Sequence, residues 1–393
     1  MSCPQPEPLS DSEFLRRLNQ RATAQRVPLA GSLALTARCN LRCAHCYLPP
    51  HRDNGARPTR ELDTAAWLSI LDQAADAGCL ELLLTGGEPL RRPDFPALYR
   101  HARRRGMLVT VFTNGTLVSD DTVALFTDLP PRQIEISLYG ATAETYERVT
   151  GVRGSFERCL AGLRRLLEAH LPVSLKTVLM TLNVHELPAL RRLAQAHGVK
   201  FRLDPAVFPR LDGDPTPLQW RVPPREAVAL EMADEFTLRA SRELFRQQRA
   251  LPPVATLYQC SAGVTAFHVD ADGALRPCVM VAQPSADLRA QSFRRAWESV
   301  IPALRERTPP PAFACSACDK RSLCGYCPAF FALETGAEGT PSAYLCALGQ
   351  LRHAAILTTT GERNPVQREE VHNGLCNPTN EETGLREAPA ASH

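Results

Sequence analysis

Residues 32–47 read SLALTARCNLRCAHCY, an apolar run followed at once by three cysteines. Cys39, Cys43 and Cys46 are one cysteine short of a closed tetrahedral metal site. Three thiolates can instead hold three corners of a cubane iron–sulfur cluster and leave the fourth iron free for another ligand. Zinc with His45 as a fourth ligand is the alternative, but adjacent residues of one loop rarely all reach a single ion. The spacing therefore predicts an open [4Fe–4S] site.

Apolar runs and helical patterns alternate over the first half of the chain. The predicted strands are SLALTA (32–37), LELLLT (80–85), MLVTVFT (107–113), QIEISLY (133–139), VSLKTVLM (173–180) and VKFRLD (199–204). The predicted helices lie near 63–77, 94–105, 119–128, 154–169 and 184–197. Six alternations predict an α/β fold with a parallel sheet. Because roughly 170 residues are short for an eight-fold barrel, we predict a partial (β/α)6 TIM-type barrel with a C-terminal cysteine-rich domain. The three cysteines then follow the first strand, at the barrel end that carries the chemistry.

Length and pattern divide the chain into five segments, because 393 residues exceed the usual size of one compact domain. The predicted segments are an N-terminal helical lead-in (1–28, with a helix from Asp11 to Gln25), the barrel (29–210), a linker and helix (211–250, with the helix from Arg225 to Gln248), the cysteine-rich domain (251–350), and a C-terminal helix end with a disordered tail (351–393).

Composition excludes several classes of protein. The net charge of +3 is too small to indicate nucleic acid, no apolar run reaches the length of a membrane span, and the polar N-terminus lacks a secretory signal. We therefore expect a cytoplasmic protein without a nucleic-acid or membrane partner. Fourteen cysteines in a reducing compartment indicate metal or redox sites rather than disulfides. Nothing is assigned to Cys3, Cys79, Cys159 and Cys376, which lie outside the clusters.

Four motifs resemble, in order, those of one enzyme family. CNLRCAHCY after a strand resembles the cluster-binding signature of the radical S-adenosylmethionine (radical SAM) superfamily. LLLTGGEPL (82–90), FTNGTL (112–117) and ISLYG (136–140) resemble the motifs that follow its second, third and fourth strands. The resemblance implies a SAM-binding [4Fe–4S] cluster on Cys39, Cys43 and Cys46, and SAM contacts from Gly86, Gly87, Glu88, Asn114 and Ser137. Glycines allow close backbone approach, and exposed carbonyls together with Glu88 can accept bonds from an ammonium group.

The family chemistry gives the open iron a purpose. SAM would chelate it through its amino and carboxylate groups, and one electron from the cluster would cleave SAM to methionine and a 5′-deoxyadenosyl radical that abstracts hydrogen from a substrate. Tyr139 stands where relatives often have Asp, and the arginine that often follows is left open between Arg148 and Arg153. The candidate catalytic side chains are Tyr139, Lys176 and Asp204. A salt-bridged strand lysine and an Asp–Pro turn are the ordinary alternatives for the last two.

The C-terminal cysteines resemble a known extension of this family. CSAGVTAFHVDADGALRPC (260–278), CSACDKRSLCGYC (315–327) and Cys346 are similar to the seven-cysteine SPASM domain, although two residues separate the last two cysteines of the middle block where three are usual. By family topology, one auxiliary [4Fe–4S] cluster would bind Cys315, Cys318, Cys324 and Cys346, and a second would bind Cys260, Cys278 and Cys327. The fourth position of the second cluster would lie near the barrel mouth, either open or filled by another group. Two zinc ribbons are the alternative. The segment HVDADGALRPC predicts a hairpin that turns at Asp272–Gly273.

Three functions remain open on the sequence. SPASM-bearing relatives mostly modify ribosomally made peptides or oxidise protein side chains, so the resemblance favours a peptide or protein maturase. A sulfatase-type maturase is disfavoured, because Val279 stands where that group has an Asp base. A tetrapyrrole-modifying enzyme of haem biosynthesis is the alternative, and a non-catalytic iron–sulfur or zinc protein is the third. The maturase interpretation implies an electron donor such as flavodoxin or ferredoxin, and allows for a separate peptide-recognition protein.

Overall fold

A computed structural model describes residues 10–49, 61–248 and 254–358. The disordered tail predicted from Gly361 onward lies outside these ranges, as do Cys3 and Cys376. Within the ranges, none of the helices combines the length and the apolar character that a bilayer crossing requires.

The described residues form one sheet of nine strands in the order β6-β5-β4-β3-β2-β1-β7-β8-β9. The strands are β1 (Ala30–Ala34), β2 (Glu81–Thr85), β3 (Leu108–Thr113), β4 (Gln133–Ser137), β5 (Val173–Val178), β6 (Lys200–Asp204), β7 (Ala266–Val269), β8 (Ala274–Arg276) and β9 (Ala286–Asp287). Strands β1 to β6 are all parallel to their neighbours, which confirms the predicted α/β fold with six strands in sequence order. The ends of the strands differ from the prediction by up to three residues.

The α-helices pack around this sheet and around the C-terminal region. They are α1 (Asp11–Gln25), α2 (Thr64–Asp76), α3 (Phe95–Arg104), α4 (Asp120–Asp128), α5 (Ala143–Thr150), α6 (Ser155–Glu168), α7 (Leu187–Ala196), α8 (Pro224–Met232), α9 (Glu235–Gln248), α10 (Phe293–Ser299), α11 (Arg321–Cys324), α12 (Pro328–Thr335) and α13 (Ala343–Thr358). Helix α1 has the predicted bounds, because the Ser10 side chain caps it by accepting the Glu13 N–H.

Two features of the helices differ from the prediction. The single helix predicted from Arg225 to Gln248 is wrong, since α8 ends at Met232 and α9 begins at Glu235. The Asp234 carboxylate accepts from the Thr237 N–H at 2.8 Å, so it caps a new helix instead of continuing the old one. Helix α5 was not predicted, because eight residues are too few for a clear apolar period.

Side chains of β1–β6 alternate between two faces. The face that packs against the helices is apolar and fully buried, with Leu33, Leu84, Val111, Ile136 and Leu175 in one core. The opposite face carries polar side chains together with apolar ones such as Leu83 and Phe112, and we call it the lumen face. Its members include Ser32, Thr85, Phe112, Glu135, Ser137, Lys176 and Arg202, which the strand register and the two-residue alternation place on the same side. The fold therefore turns polar groups toward the barrel interior and keeps its apolar core outside the sheet.

The C-terminal region continues the same sheet. Strand β7 pairs in parallel with β1, with Ala30 opposite Ala266, and forms with β8 the predicted hairpin, in which Gly273 has φ +92°. The Phe267 ring lies 4.8 Å from that of Phe293, and both belong to the core of the barrel helices. The domain boundaries drawn from the sequence stay a prediction, but this hairpin and its core are continuous with the barrel.

The junction between β1 and β7 gives a stability prediction. The Phe267 ring fills the space above Gly31, where a Cβ would lie 2.4 Å from its Cζ atom. We expect Phe267→Ala to lower the free energy of unfolding by about 3–5 kcal/mol, because it empties a fully packed site. The matched control is Phe14→Ala, since Phe14 is 56% exposed and its truncation costs about 0.5 kcal/mol or less. Urea unfolding of both variants measures the difference, and equal losses would contradict the packing described here.

Candidate functional site

The three front cysteines lie in the loop that follows β1. All three are partly buried free thiols. Two backbone hydrogen bonds hold this loop against the end of α5, from the Arg42 N–H to the Thr150 carbonyl at 2.8 Å and from the Ala44 N–H to the Val149 carbonyl at 2.9 Å. Helix α5, which was not predicted from the sequence, therefore supports the cysteine loop.

The thiols of Cys39, Cys43 and Cys46 are close enough to influence one another. Burial, together with the charges of Glu88 and Cys46, raises the pKa of the Cys39 thiol to about 11. Burial also raises the pKa of Cys43 well above its usual value, with added repulsion from Cys46 and Cys39. A bound cation would offset this cost, because metal binding replaces the thiol protons.

Among the described residues, no three His, Cys, Asp or Glu side chains converge as ligands of a single metal ion would. In a cubane each thiolate binds a different iron, so neighbouring thiols are what a cluster requires. The donor set at the three front cysteines fits a [4Fe–4S] cluster on these grounds.

Gly86 and Gly87 lie directly against the backbone of the cysteine loop. The Gly87 N–H donates to the Thr36 carbonyl at 2.7 Å, and the Glu88 N–H donates to the Arg38 carbonyl at 3.0 Å. A Cβ at Gly86, where φ is +137°, would lie 2.2 Å from the Thr36 oxygen, and one at Gly87 would lie 2.4 Å from the Arg38 oxygen. Only glycine fits at these two positions, so the pair sets the place of the cysteine loop. Their contact with SAM stays a prediction.

The Glu88 carboxylate is fully buried and points into the protein. It accepts from the Thr113 hydroxyl at 2.8 Å, the Leu90 N–H at 3.1 Å and the Asn114 N–H at 2.7 Å. Burial raises its pKa to about 7 against these three donors. The Glu88 side chain thus links the loop after β2 to the loop after β3. The sequence instead led us to expect a carboxylate that accepts hydrogen bonds from an ammonium group. A contact between Glu88 and an ammonium group stays a prediction.

Asn114 and Ser137 lie at the carboxyl ends of β3 and β4. The Asn114 Nδ2 atom is 3.8 Å from the Cys39 Sγ atom and 2.9 Å from the Asn40 Oδ1 atom. Ser137 is buried, stands beside Lys176 in the register of β4 and β5, and hydrogen bonds to Tyr139. Both predicted cofactor residues are therefore on the same end of the sheet as the cysteine loop.

Tyr139 and His45 form the wall beside the cysteines. Their ring centroids are 4.5 Å apart in an edge-on arrangement. Burial raises the pKa of Tyr139 well above its usual value, and the nearby charge of Cys43 adds to the effect. Burial, together with the charge of Lys176, lowers the pKa of His45 to about 4. The His45 ring is thus neutral near pH 7, and its buried Nδ1 atom has no hydrogen-bond partner.

Lys176 lies on the lumen face of β5, between Ser137 of β4 and Arg202 of the edge strand β6. Its Nζ atom lies 3.1 Å from the Glu135 Oε1 atom and 3.3 Å from the centroid of the Phe112 ring. Arg202 binds the same carboxylate oxygen at 2.6 Å. Burial lowers the pKa of Lys176 to about 8, although Glu135 opposes that shift. Lys176 therefore forms a salt bridge, which was the alternative to a catalytic role in the sequence analysis. The catalytic role of Lys176 stays a prediction.

Asp204 and the two arginines left open by the sequence lie farther out. Asp204 is exposed, and its Oδ1 atom accepts from the Ala206 N–H at 3.0 Å, which is the turn expected of an Asp–Pro pair. Arg148 donates to the Leu182 carbonyl at 2.8 Å. Arg153 lies between α5 and α6. A catalytic role for Asp204 stays a prediction.

Two further side chains fix the cysteine loop and were not predicted. Arg91 donates to the Cys39 carbonyl at 2.6 Å. Glu61 accepts from the Thr36 hydroxyl at 2.8 Å and the Ala37 N–H at 3.0 Å. Neither position carries a sequence signal, because both contacts join residues more than twenty positions apart.

The second set of cysteines falls into two groups. Burial, together with the charges of Cys278 and Cys260, raises the pKa of the Cys327 thiol to about 11, so these three thiols are neighbours. Burial likewise raises the pKa of Cys324 to about 11, with added repulsion from Cys318.

Cys315 and Cys346 lie near the second of these groups. Burial raises the pKa of the Tyr326 hydroxyl. The charge of Cys315 raises this pKa further, and its effect is larger than that of Cys324. Gly349 packs so closely against Cys324 that a Cβ added at Gly349 would lie 2.6 Å from the Cys324 Cβ atom. Cys346 is one helical turn before Gly349 and shares its face of α13. The arrangement is compatible with the ligand sets implied by family topology, which stay predictions.

The hairpin places the three-cysteine group away from the barrel mouth. Strand β7 runs parallel to β1, and β8 runs back beside it. Cys260 precedes β7 and Cys278 follows β8, so both lie toward the amino end of β1. In addition, Arg26, four residues before β1, donates to the Gly263 carbonyl at 3.0 Å. The fourth position of the second auxiliary cluster was expected near the barrel mouth. That expectation is corrected, because the front cysteines follow the carboxyl end of β1 and this group lies toward its amino end.

The chain resembles several known proteins. A family model described as the Radical SAM superfamily matches residues 33–194. Over 322 residues the chain is 28% identical to the AdoMet-dependent heme synthase of Methanosarcina barkeri, covering 77% of this chain and 91% of that protein. Over 264 residues it is 30% identical to the PqqA peptide cyclase of Rhodopseudomonas palustris, covering 64% and 67%.

Two solved structures share the fold. Streptococcus suis SuiB bound to its precursor peptide SuiA aligns with a TM-score of 0.64 over 88% of this chain and 83% of that one, at 17% identity. Native anSMEcpe with bound AdoMet aligns with a TM-score of 0.66 over 84% and 98%, at 13% identity. At these identities the likeness shows the fold alone.

The contact between the glycine pair and the cysteine loop gives a second prediction. Gly86 and Gly106 both have positive φ, but nothing lies within 4 Å of a Cβ at Gly106. We expect Gly106→Ala to cost about 1–2 kcal/mol from backbone strain alone. Gly86→Ala should cost about 3 kcal/mol or more, because the loop must also move. Urea unfolding measures both variants, and iron analysis should show less iron bound by the Gly86 variant only. Equal behaviour of the two would refute the contact.

Proposed function

The chain belongs to the radical SAM superfamily, and on that premise we propose that it cleaves SAM reductively and abstracts hydrogen from a peptide or protein side chain, as a maturase. The observation that carries the proposal is the set of three neighbouring thiols at the carboxyl end of β1, held in place by Gly86 and Gly87. Members of this superfamily bind a [4Fe–4S] cluster and SAM and carry out radical chemistry.

The residues at this end of the sheet have distinct tasks in the proposed reaction. Cys39, Cys43 and Cys46 would hold the cluster through three irons. When bound, the cluster and SAM would supply one electron and a 5′-deoxyadenosyl radical for hydrogen abstraction. Backbone oxygens of the Gly86–Gly87 loop would accept from the SAM ammonium group, and Ser137 would donate to its ribose or carboxylate. The wall formed by His45 and Tyr139 would limit the access of water at the same place.

The lumen face supplies groups for the steps after hydrogen abstraction. A substrate that loses a hydrogen atom and then an electron must also release a proton. Lys176 has a pKa of about 8 on account of burial, so it can exchange a proton near neutral pH. Tyr139 and Asp204 are the other candidates for this role. Glu135, 3.1 Å from the lysine, would stabilise its charged form.

The C-terminal cysteines would accept the electron that the substrate releases. We assign Cys315, Cys318, Cys324 and Cys346 to one auxiliary [4Fe–4S] cluster, and Cys260, Cys278 and Cys327 to a second one. The grouping of the thiols in the structure supports both sets. An electron donor such as flavodoxin or ferredoxin would reduce the front cluster, and a separate protein would present the peptide.

Peptide modification is supported by the 30% identity to PqqA peptide cyclase. A tetrapyrrole substrate is the second candidate, because the match to AdoMet-dependent heme synthase covers 91% of that protein. Both substrates suit a lumen that carries Glu135, Lys176 and Arg202.

The cysteine assignment predicts a change in both metal content and activity. Protein reconstituted without oxygen should hold about twelve irons and twelve sulfides, as three cubanes require. Replacing Cys39, Cys43 and Cys46 with Ala should remove about a third of the iron and abolish 5′-deoxyadenosine formation with dithionite. Most of the auxiliary absorbance should remain. Stoichiometric zinc without sulfide, or SAM cleavage by the triple variant, would overturn the assignment.

A substrate test separates the two candidates. The reduced protein is incubated with SAM and either a small peptide encoded beside its gene or an iron porphyrin that carries propionates. We expect 5′-deoxyadenosine to accumulate together with a peptide that has lost hydrogen, as mass spectrometry would show. Conversion of the porphyrin with loss of carboxyl groups, and no change in the peptide, would replace the maturase with the tetrapyrrole enzyme.

A further inference from the structure

We propose that Asn114 raises the reduction potential of the cluster bound by the front cysteines, by donating an amide N–H to the Cys39 thiolate. The inference rests on the proposed function, because it requires a cluster at this site. It assigns Asn114 a task toward the protein's own sulfur ligand, in addition to the predicted SAM contact.

Two N–H groups point at the Cys39 sulfur. The Leu41 N–H lies 3.4 Å from the Sγ atom, and the Asn114 Nδ2 atom lies 3.8 Å from it. The first is a backbone donor from the same loop. The second comes from the loop after β3, so it depends on the fold and on one side chain.

A closed ring of hydrogen bonds fixes which end of the Asn114 amide faces Cys39. The Asn114 Oδ1 atom accepts from both the N–H and the hydroxyl of Thr116, at 2.9 and 2.6 Å. The Thr116 hydroxyl in turn accepts from the Asn40 Nδ2 atom at 2.7 Å. The Asn40 Oδ1 atom is therefore left to accept from the Asn114 Nδ2 atom, at 2.9 Å.

This ring leaves one N–H of Asn114 for the sulfur. An NH2 group has two hydrogens, and the first is used by the Asn40 oxygen. Rotating the Asn114 amide by half a turn would set its oxygen against the Asn40 oxygen and its nitrogen against the Thr116 N–H. Both contacts would be repulsive, so the structure holds the donor toward Cys39.

The surroundings strengthen the effect of this donor. Asn114 and Thr116 are each 8% exposed, and the Asn114 backbone N–H is bound by the buried Glu88 carboxylate. In a site with little water, a fixed dipole acts strongly on a nearby charge. Reduction adds negative charge to a cluster and its thiolates, and an N–H directed at a thiolate stabilises that charge. The reduced form should therefore gain more from Asn114 than the oxidised form.

The test compares two buried asparagines. Asn114→Ala removes the donor, whereas Asn183→Ala removes an amide that binds the Tyr139 and Val178 carbonyls. The midpoint potential is measured on the full chain by titration followed by electron paramagnetic resonance, using the part of the signal that changes when SAM is added. We expect Asn114→Ala to disfavour reduction about threefold to tenfold, where tenfold is 59 mV for a one-electron couple. Asn183→Ala should leave the potential unchanged.

A second measurement keeps the inference testable if Asn114→Ala does not fold. Thr116→Val removes the hydroxyl that orients the amide while the shape is kept, and should shift the potential in the same direction by a smaller amount. In wild-type protein labelled with 15N-asparagine, pulsed resonance should detect a weak coupling to nitrogen that is smaller in the labelled Thr116→Val variant.

The outcomes separate this inference from the proposed function. A wild-type protein that binds no cluster responsive to SAM overturns both. A responsive cluster whose potential is the same in the Asn114 and Thr116 variants as in the wild type overturns the role of Asn114 alone. Equal shifts in the Asn114 and Asn183 variants would also overturn it, because a general effect of losing a buried amide would then explain the change.

Discussion

The site depends on one constraint, the close approach of two backbone segments at the carboxyl ends of β1 and β2. The carbonyls of Thr36 and Arg38 occupy the space in which side chains at Gly86 and Gly87 would otherwise stand. Two backbone hydrogen bonds close the contact. The contact fixes the first residues of the cysteine loop, and it sends the following Glu88 inward, where it organises the loop after β3. Moving either backbone would disturb all three loops at once.

The sequence predicts the site where the information is local. The cysteine spacing, the GGE turn and the alternating strand pattern are each contained in a few residues, and the structure brings the corresponding loops to one end of the sheet. The direction of the Glu88 carboxylate could not be predicted, because it depends on donors 25 and 26 positions away. The pairing of β7 with β1 joins residues more than 230 positions apart, and no pattern in either strand specifies its neighbour. The support that α5 gives to the cysteine loop could not be predicted either, because no pattern in one segment specifies the other.

The lumen face shows how the barrel carries charge before any ligand is bound. Glu135 is shared by Lys176 and Arg202, so two cations face one carboxylate on the three strands at the β6 edge of the sheet. The Phe112 ring also contacts the ammonium group. A substrate with an acidic group would find a cation here without the cost of burying a new one. Peptides with acidic residues and porphyrins with propionates both have such a group, which is why the lumen alone does not choose between them.

The direction of the hairpin would place a substrate between the proposed clusters. The front cysteines follow the carboxyl end of β1, while Cys260 and Cys278 lie toward its amino end. A strand of this length spans roughly 15 Å, since each residue adds about 3.3 Å. The lumen face extends between these two ends, with Lys176 beside Ser137 toward the carboxyl end. A substrate held there would lose hydrogen toward one end and release its electron toward the other. The pairing of β7 with β1 thus does more than extend the sheet, because it sets the distance across which the proposed chemistry would work.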